Sequence, residues 1–418
     1  MNDINTIQDT MAERLAVSMI HCHETKPLEW NYVDGLGLEC IYRAGKVTGH
    51  PEWRNWVAEQ FDGLVHQDGT VDAYNLEEYS LDMIAPGKAL FAVYDDTHHE
   101  KYRRALDMFQ LQLERQPRTP SGGYWHKGRY PNQMWLDGLY MQGAFKARYA
   151  CKYLSNEDKL DAINDLVSQF TLVYKHTYDE RTGLLFHAWD ESRRMPWADK
   201  ATGRSPSIWG RALGWYCMAL ADVIDYLSQE GEFQAQCKTL VNLASSLAQA
   251  LARRQDISGL WWQVMDQGDG EYNYLESSCS AMFTYFLLKF ARIATLPPDA
   301  RIQCRRAGGK GYEGLLRDKV TEDTEGYLHL HSICRGAGLG QAADSLPYRD
   351  GTFTYYCTKE PIVQDNWQGV APLMLAALET DWMDRLDGTG GLVGTADGQE
   401  SRERRTATDD RPKEGEHD

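Results

Sequence analysis

From end to end, apolar residues recur along the chain at helical spacing in Ala-, Leu- and Met-rich stretches, and strict two-residue alternation is scarce. Loops bearing Gly, Pro and Trp separate these stretches. The pattern predicts an all-α protein. One kind of segment recurs six times: small and polar residues, often with an aromatic, open a helix that then turns strongly apolar. These openings begin at Trp30, Leu81, Trp135, Ile208, Glu276 and Asn366. Between them the pattern predicts more polar, amphipathic helices near residues 9–24, 51–65, 99–116, 156–176, 232–255 and 311–319, each with a charged face for solvent. Six apolar helices alternating with six amphipathic ones make six helical hairpins. A closed (α/α)6 barrel buries the first set on most sides and wets one face of the second; an irregular helical solenoid is the alternative. Residues 1–385 read as this one domain. Residues 386–418 are Gly-rich, then charged and nearly free of aliphatics, and read as a disordered tail.

If the inner helices run the same way, their openings gather at one end, which becomes the functional mouth. Asp34, Asp82, Asp137, Glu276 and Asp365 then stand near it as candidate acids. Any one alone reads equally well as a helix cap or first-turn charge. Several in one hollow would repel one another, so one should hold its proton near neutral pH, as a general acid must. Asp137 is the first choice. Trp135 lies just before it, Gly138 leaves room beside it, and the segment from His126 to Met141 adds Lys127, Arg129, Tyr130 and Tyr140. The basic partners are His126, Lys127, His187 and Arg211. Arg211 stands between Trp209 and Trp215 on an apolar helix, a poor place for a guanidinium unless it meets an anion, whether a ligand's or the acid cluster's. His187 reads equally as a core histidine bonded to backbone or as a ligand contact.

Composition narrows the chemistry. The 418 residues are 42% hydrophobic, ample for a core, and 23 Tyr and 13 Trp against 11 Phe favour rings that both stack and hydrogen-bond, as sugar sites require. A net charge of −17 argues against nucleic acid. Nine scattered cysteines without a C-x-x-C pair read as reduced, buried thiols. The first residues lack a basic start followed by an apolar run, and no stretch reaches the roughly 18 apolar residues of a membrane span, so the expectation is a cytoplasmic protein without a membrane partner. The closely spaced histidine pairs lack ligand spacing, which predicts no metal. No Gly-x-Gly-x-x-Gly follows a strand and no Walker loop is present, which predicts no nucleotide cofactor. Oligomeric state leaves no readable mark.

Several stretches resemble the unsaturated rhamnogalacturonyl hydrolases of glycoside hydrolase family 105 and, next, the related unsaturated glucuronyl hydrolases. They are Tyr74-Asn75-Leu76 with the run Asp82 to Lys88, Gly123 to Lys127 leading into Trp135 to Met141, Trp209 to Trp215, and Tyr274 to Ser278 ahead of Ala281-Met282-Phe283. The resemblance implies an (α/α)6 barrel with no metal or organic cofactor. It implies Asp137 as general acid/base and Asp82 as a second pocket carboxylate that would favour the proton on its neighbour. His187, Arg211, Trp209, Trp215, Trp135 and Tyr32 would line the sugar pocket, with His126 and Lys127 at its rim. The implied substrate is an unsaturated uronyl-rhamnose oligosaccharide, its uronate charge offset by Arg211 or Lys127. The run Arg305 to Gly311 falls outside the pattern and puts the last outer helix in question. Competing expectations are an unsaturated glucuronyl hydrolase on other lyase products, an inverting glycosidase with an open cleft for saturated polysaccharide, and a non-catalytic carbohydrate-binding toroid.

Overall fold

The computed structural model describes residues 10–23, 27–341 and 346–388. Among them, twelve α-helices form six successive hairpins: α1 (Met11–His23) with α2 (Tyr32–Thr48), α3 (Pro51–Leu64) with α4 (Gly87–Thr97), α5 (Glu100–Arg115) with α6 (Leu136–Tyr153), α7 (Asn156–Thr177) with α8 (Gly210–Glu230), α9 (Gln234–Arg254) with α10 (Ser277–Ile293), and α11 (Pro298–Asp318) with α12 (Trp367–Gly388). The two sets of helices differ as their polarity demands. Outer helix α5 buries Tyr102, Ala105, Leu106, Phe109 and Leu113, one stripe at helical spacing, whereas inner helix α10 buries every residue from Ser277 to Ala291.

The inner helices pack in sequence from α2 through α12, and α12 returns to α2, so the ring closes. Closure depends on a residue without a side chain. A Cβ on Gly37 would stand 1.8 Å from the Trp367 ring, so only glycine lets α2 and α12 meet there. The barrel interior is also charged: Lys289 Nζ pairs with Asp222 at 2.8 Å and Asp225 at 2.9 Å, and Lys88 Nζ lies 3.3 Å from Glu39.

Two expectations change. The last outer helix is regular and longer than the sequence pattern indicated, running from Pro298 to Asp318 straight through the glycines. Two of these glycines face inward: a Cβ on Gly308 would come within 2.6 Å of Leu288, and one on Gly311 within 2.3 Å of Thr284. At the far end α12 continues to Gly388, three residues past the expected domain boundary, and the proposed tail from residue 389 lies outside the described residues. All nine cysteines are free, but Cys22 is exposed, and Cys151 and Cys237 are half-buried. Among the described residues no helix is long and apolar enough to cross a membrane.

Short antiparallel ladders link the helices: β1 (Gln133–Trp135) with β4 (Ala188–Asp190), β2 (Tyr178–Asp179) with β3 (Leu184–Leu185), β5 (Val320–Glu322) with β6 (Leu328–Leu330), and β7 (Ile333–Cys334) with β8 (Ile362–Val363). The first matters most. Its register sets Trp135 opposite Ala188, and Leu136 N–H donates to the His187 carbonyl at 3.1 Å, which brings the start of α6 beside His187.

Candidate active site

Strand β1 runs directly into α6. Trp135 is its extended N-cap residue and makes no side-chain capping bond, which leaves Asp137 free in the first turn. The Asp137 side chain is 13% exposed, and its Oδ2 lies 3.2 Å from Nε2 of the fully buried His187. The approach is too oblique for a hydrogen bond, and neither atom has another hydrogen-bond partner among the described residues. Catalytic contacts often align only when substrate is bound. On the other side of the imidazole, His187 Nδ1 lies 2.6 Å from the Tyr356 hydroxyl.

A second carboxylate–imidazole pair stands nearby. Asp82 lies in the 3-10 turn Leu81–Met83 ahead of α4, where its Oδ1 is 3.4 Å from His126 Nε2 and its Oδ2 pairs with the Lys127 ammonium. Burial alone would raise the pKa of Asp82, but Lys127 and His126 more than reverse this and hold it below the ordinary carboxylate range. Burial pushes His126 down to about 4 in spite of Asp82, so its ring is neutral at pH 7. Gly138 is small for a reason: a Cβ there would come within 3.0 Å of Leu81 and 3.3 Å of His126 Nδ1.

Trp135 joins the two pairs. It stacks with His126 at 4.6 Å and Tyr130 at 4.8 Å, and meets His187 edge-on at 5.2 Å. Trp209 donates from Nε1 to Gln263 at 3.1 Å and stacks on Tyr356 at 5.4 Å. Trp215 lies deeper, against Tyr140 at 4.6 Å and edge-on to Tyr32 at 6.3 Å. Burial raises the phenol pKa of Tyr32, and the charges of both Asp82 and Asp137 add to that effect, which places its ring near the two carboxylates. Asp137, Asp82, His126, Lys127, Trp135, His187, Trp209, Trp215 and Tyr32 therefore share one ring-lined end of the barrel.

Arg211 meets the acid cluster, one of the two anions its sequence setting left open, and not the pocket that the resemblance implies. It is fully buried, and its guanidinium donates to Ser278 Oγ at 2.7 Å, to Gln368 and to the Cys334 carbonyl, with Glu276 Oε1 at 3.5 Å. The anion it meets belongs to its own chain. Glu276 in turn caps α10, accepting from Cys279 N–H at 2.7 Å, and accepts from Cys334 N–H at 2.9 Å. Asp34 accepts from Glu29 N–H at 2.9 Å, and Asp365 from Leu330 N–H at 2.9 Å with His329 at 2.7 Å, so these acids tie down chain ends and loops. Lys127 likewise spends its charge on Asp82, so that carboxylate does not stand unpartnered beside Asp137 as expected. Among the described residues no group of three or more His, Cys, Asp or Glu is set to hold a metal.

The chain matches the profile of Glycosyl Hydrolase Family 88 over residues 4–383. It belongs to that family. Protein Atu3128 of Agrobacterium fabrum (strain C58) is 38% identical over 235 residues, which span 56% of this chain and 96% of that one. YesR of Bacillus subtilis (strain 168), an unsaturated rhamnogalacturonyl hydrolase, is 28% identical over 341 residues, 76% of this chain and 88% of its own. Among solved structures, a family 105 glycoside hydrolase of C. acetobutylicum ATCC 824 aligns with a TM-score of 0.82 at 36% identity, covering 90% of this chain and all of its own. The unsaturated glucuronyl hydrolase of Bacillus sp. GL1 shares the fold at TM-score 0.62 and 14% identity, over 88% of this chain and 95% of that one.

Asp137 differs from Asp82 in its surroundings: it is partly open, lies among aromatic rings, and has no lysine or arginine paired to it among the described residues. One neighbour escapes the sequence pattern. Tyr356 belongs to the π-helical turn Tyr355–Lys359, outside every helix opening, and only the folded chain reveals that it touches His187.

Proposed function

We propose that this family 88 hydrolase releases 4,5-unsaturated galacturonic acid from rhamnose in unsaturated rhamnogalacturonan oligosaccharides by hydrating the enol-ether double bond. The observation that carries the reading is Asp137, a partly open carboxyl that, unlike the equally exposed Asp82, has no ammonium paired to it among the described residues and stands at the end of the barrel that holds Trp135, His187, Trp209 and Tyr32. The activity named for YesR supports the choice of substrate.

Asp137 protonates C4 of the unsaturated ring, which leaves an oxocarbenium ion shared by C5 and the ring oxygen. Water adds at C5 and returns a proton to the Asp137 carboxylate. The hemiketal so formed opens to a keto sugar, and rhamnose leaves. One carboxyl serves both strokes, so the spacing rule for paired carboxylates in ordinary glycosidases does not apply. Lys127, one-fifth exposed, keeps ammonium protons beyond the one given to Asp82 and offers them as hydrogen-bond donors to the uronate carboxylate.

The test follows ultraviolet absorbance of the conjugated double bond with unsaturated rhamnogalacturonan and glycosaminoglycan disaccharides side by side. The expected result is absorbance loss with the first, none with saturated disaccharides, and a fall of at least about a hundredfold in Asp137→Asn with binding retained. Turnover of the glycosaminoglycan disaccharide alone would replace the substrate, and an active Asp137→Asn would remove the mechanism.

A further inference from the structure

Tyr356 is fully buried, and the carbonyl of its own backbone accepts from Gln263 Nε2 at 3.2 Å. π-Helical turns such as the one that carries it are frequent at functional sites. Its hydroxyl lies 2.6 Å from His187 Nδ1 and has no other hydrogen-bond partner among the described residues. Burial holds this phenol well above its ordinary pKa, so it remains an O–H. A buried hydroxyl proton needs an acceptor, and here the acceptor is Nδ1.

This settles where the imidazole proton sits. If Nδ1 accepts, the proton of the neutral ring is on Nε2. Nε2 faces Asp137 Oδ2 at 3.2 Å. With a proton on Nε2 this close, though off the line of a hydrogen bond, a second proton on Oδ2 would be crowded against it, which leaves Oδ1 as the oxygen able to carry the acid proton. The opposite tautomer would present a bare Nε2, which would draw that proton onto Oδ2 and away from the sugar.

We infer that Tyr356 is a positioning residue that fixes the tautomer of His187 and thereby confines the acid proton of Asp137 to Oδ1. The inference rests on the reading of Asp137 as the proton donor. Tyr356 touches no reacting atom in this scheme; it acts through His187.

The test uses the full chain labelled with nitrogen-15 histidine, in which multiple-bond proton–nitrogen spectra distinguish the two neutral tautomers. His187→Gln assigns the signals. The wild type should show the Nε2–H form. Tyr356→Phe should show a mixed or inverted tautomer, with kcat down about tenfold, the worth of roughly one buried hydrogen bond, and KM within about twofold. An Nδ1–H tautomer in the wild type overturns the inference, as does a variant in which the spectrum changes without kcat or kcat without the spectrum. Should Tyr356→Phe fail to fold, the wild-type spectrum decides alone. A wild type inactive on every unsaturated uronide would remove the proposed substrate, whereas the tautomer is read independently of turnover.

Discussion

Replacing Arg211 by Met keeps an unbranched stem but deletes a charge that the protein has surrounded on all sides. The guanidinium has no exposed surface and serves Ser278, Gln368, the Cys334 carbonyl and Glu276. Breaking one side of a buried ion pair costs about 3–5 kcal/mol, because the remaining charge is stranded. Glu276 keeps donors from Cys279 N–H, Cys334 N–H and the Ser278 hydroxyl, which places the loss toward the lower end of that range. Even about 3 kcal/mol is a large part of the roughly 5–15 kcal/mol that separates folded from unfolded domains. Urea unfolding should show a lower midpoint at an unchanged slope. Glu276→Gln and the double variant complete a cycle in which the double variant loses less than the two singles together. The KM of folded Arg211→Met should stay within a few-fold of wild type. Stability within about 1 kcal/mol of wild type, together with a large rise in KM, would refute the reasoning, since the guanidinium would then be serving a substrate carboxylate instead of Glu276.

Two further outcomes follow from the buried charges. Because folded His126 titrates near 4 instead of 6.5, the unfolded chain takes up its proton first as pH falls through that window, and the fold loses on the order of 3 kcal/mol there. Asp82, held below the ordinary carboxylate range, keeps its contribution until still lower pH, so His126→Gln should flatten the dependence of Tm on pH between about 7 and 4.5; equal slopes in variant and wild type would contradict this. Lys289→Ala strands Asp222 and Asp225 inside the barrel and should cost about 3–5 kcal/mol in urea unfolding, part of which Asp222→Asn restores; a loss under about 1 kcal/mol would show that the pair is solvated.

The six hairpins were legible because each inner helix must be apolar on most faces while each outer one keeps a wet stripe, a contrast that survives in one dimension. Asp137 stood out as a candidate for a similar reason: the segment that leads into its helix, from His126 onward, concentrates aromatics, a histidine and a lysine. What failed was whatever depends on contacts between hairpins. The run Arg305 to Gly311 falls outside the recognised pattern, yet it is helical, and its glycines cost helix propensity where Leu288 and Thr284 leave no room for a Cβ. Arg211 visibly needed an anion, but Glu276 lies in another hairpin and reaches it only once the ring closes. Tyr356 carried no local signal, since its partner His187 is 169 residues away in the sequence.

The two carboxylate–imidazole pairs look alike as lists of residues and differ in what stands behind them. Behind Asp82 is an ammonium, Lys127, and the pair settles as carboxylate with neutral ring. Behind His187 is a phenol, Tyr356, which brings a hydrogen bond and no charge. Under the proposed mechanism this difference in surroundings would give the two carboxyls separate roles, Asp82 as a fixed charge and Asp137 as a mover of protons. Trp135 touches both imidazoles, and the β1–β4 ladder fixes where it lies, so the division of labour is set by the same three residues that lead the chain into α6. Under the proposed mechanism, a cation introduced beside Asp137 would erase that difference and hold its carboxyl ionised, so turnover should fall.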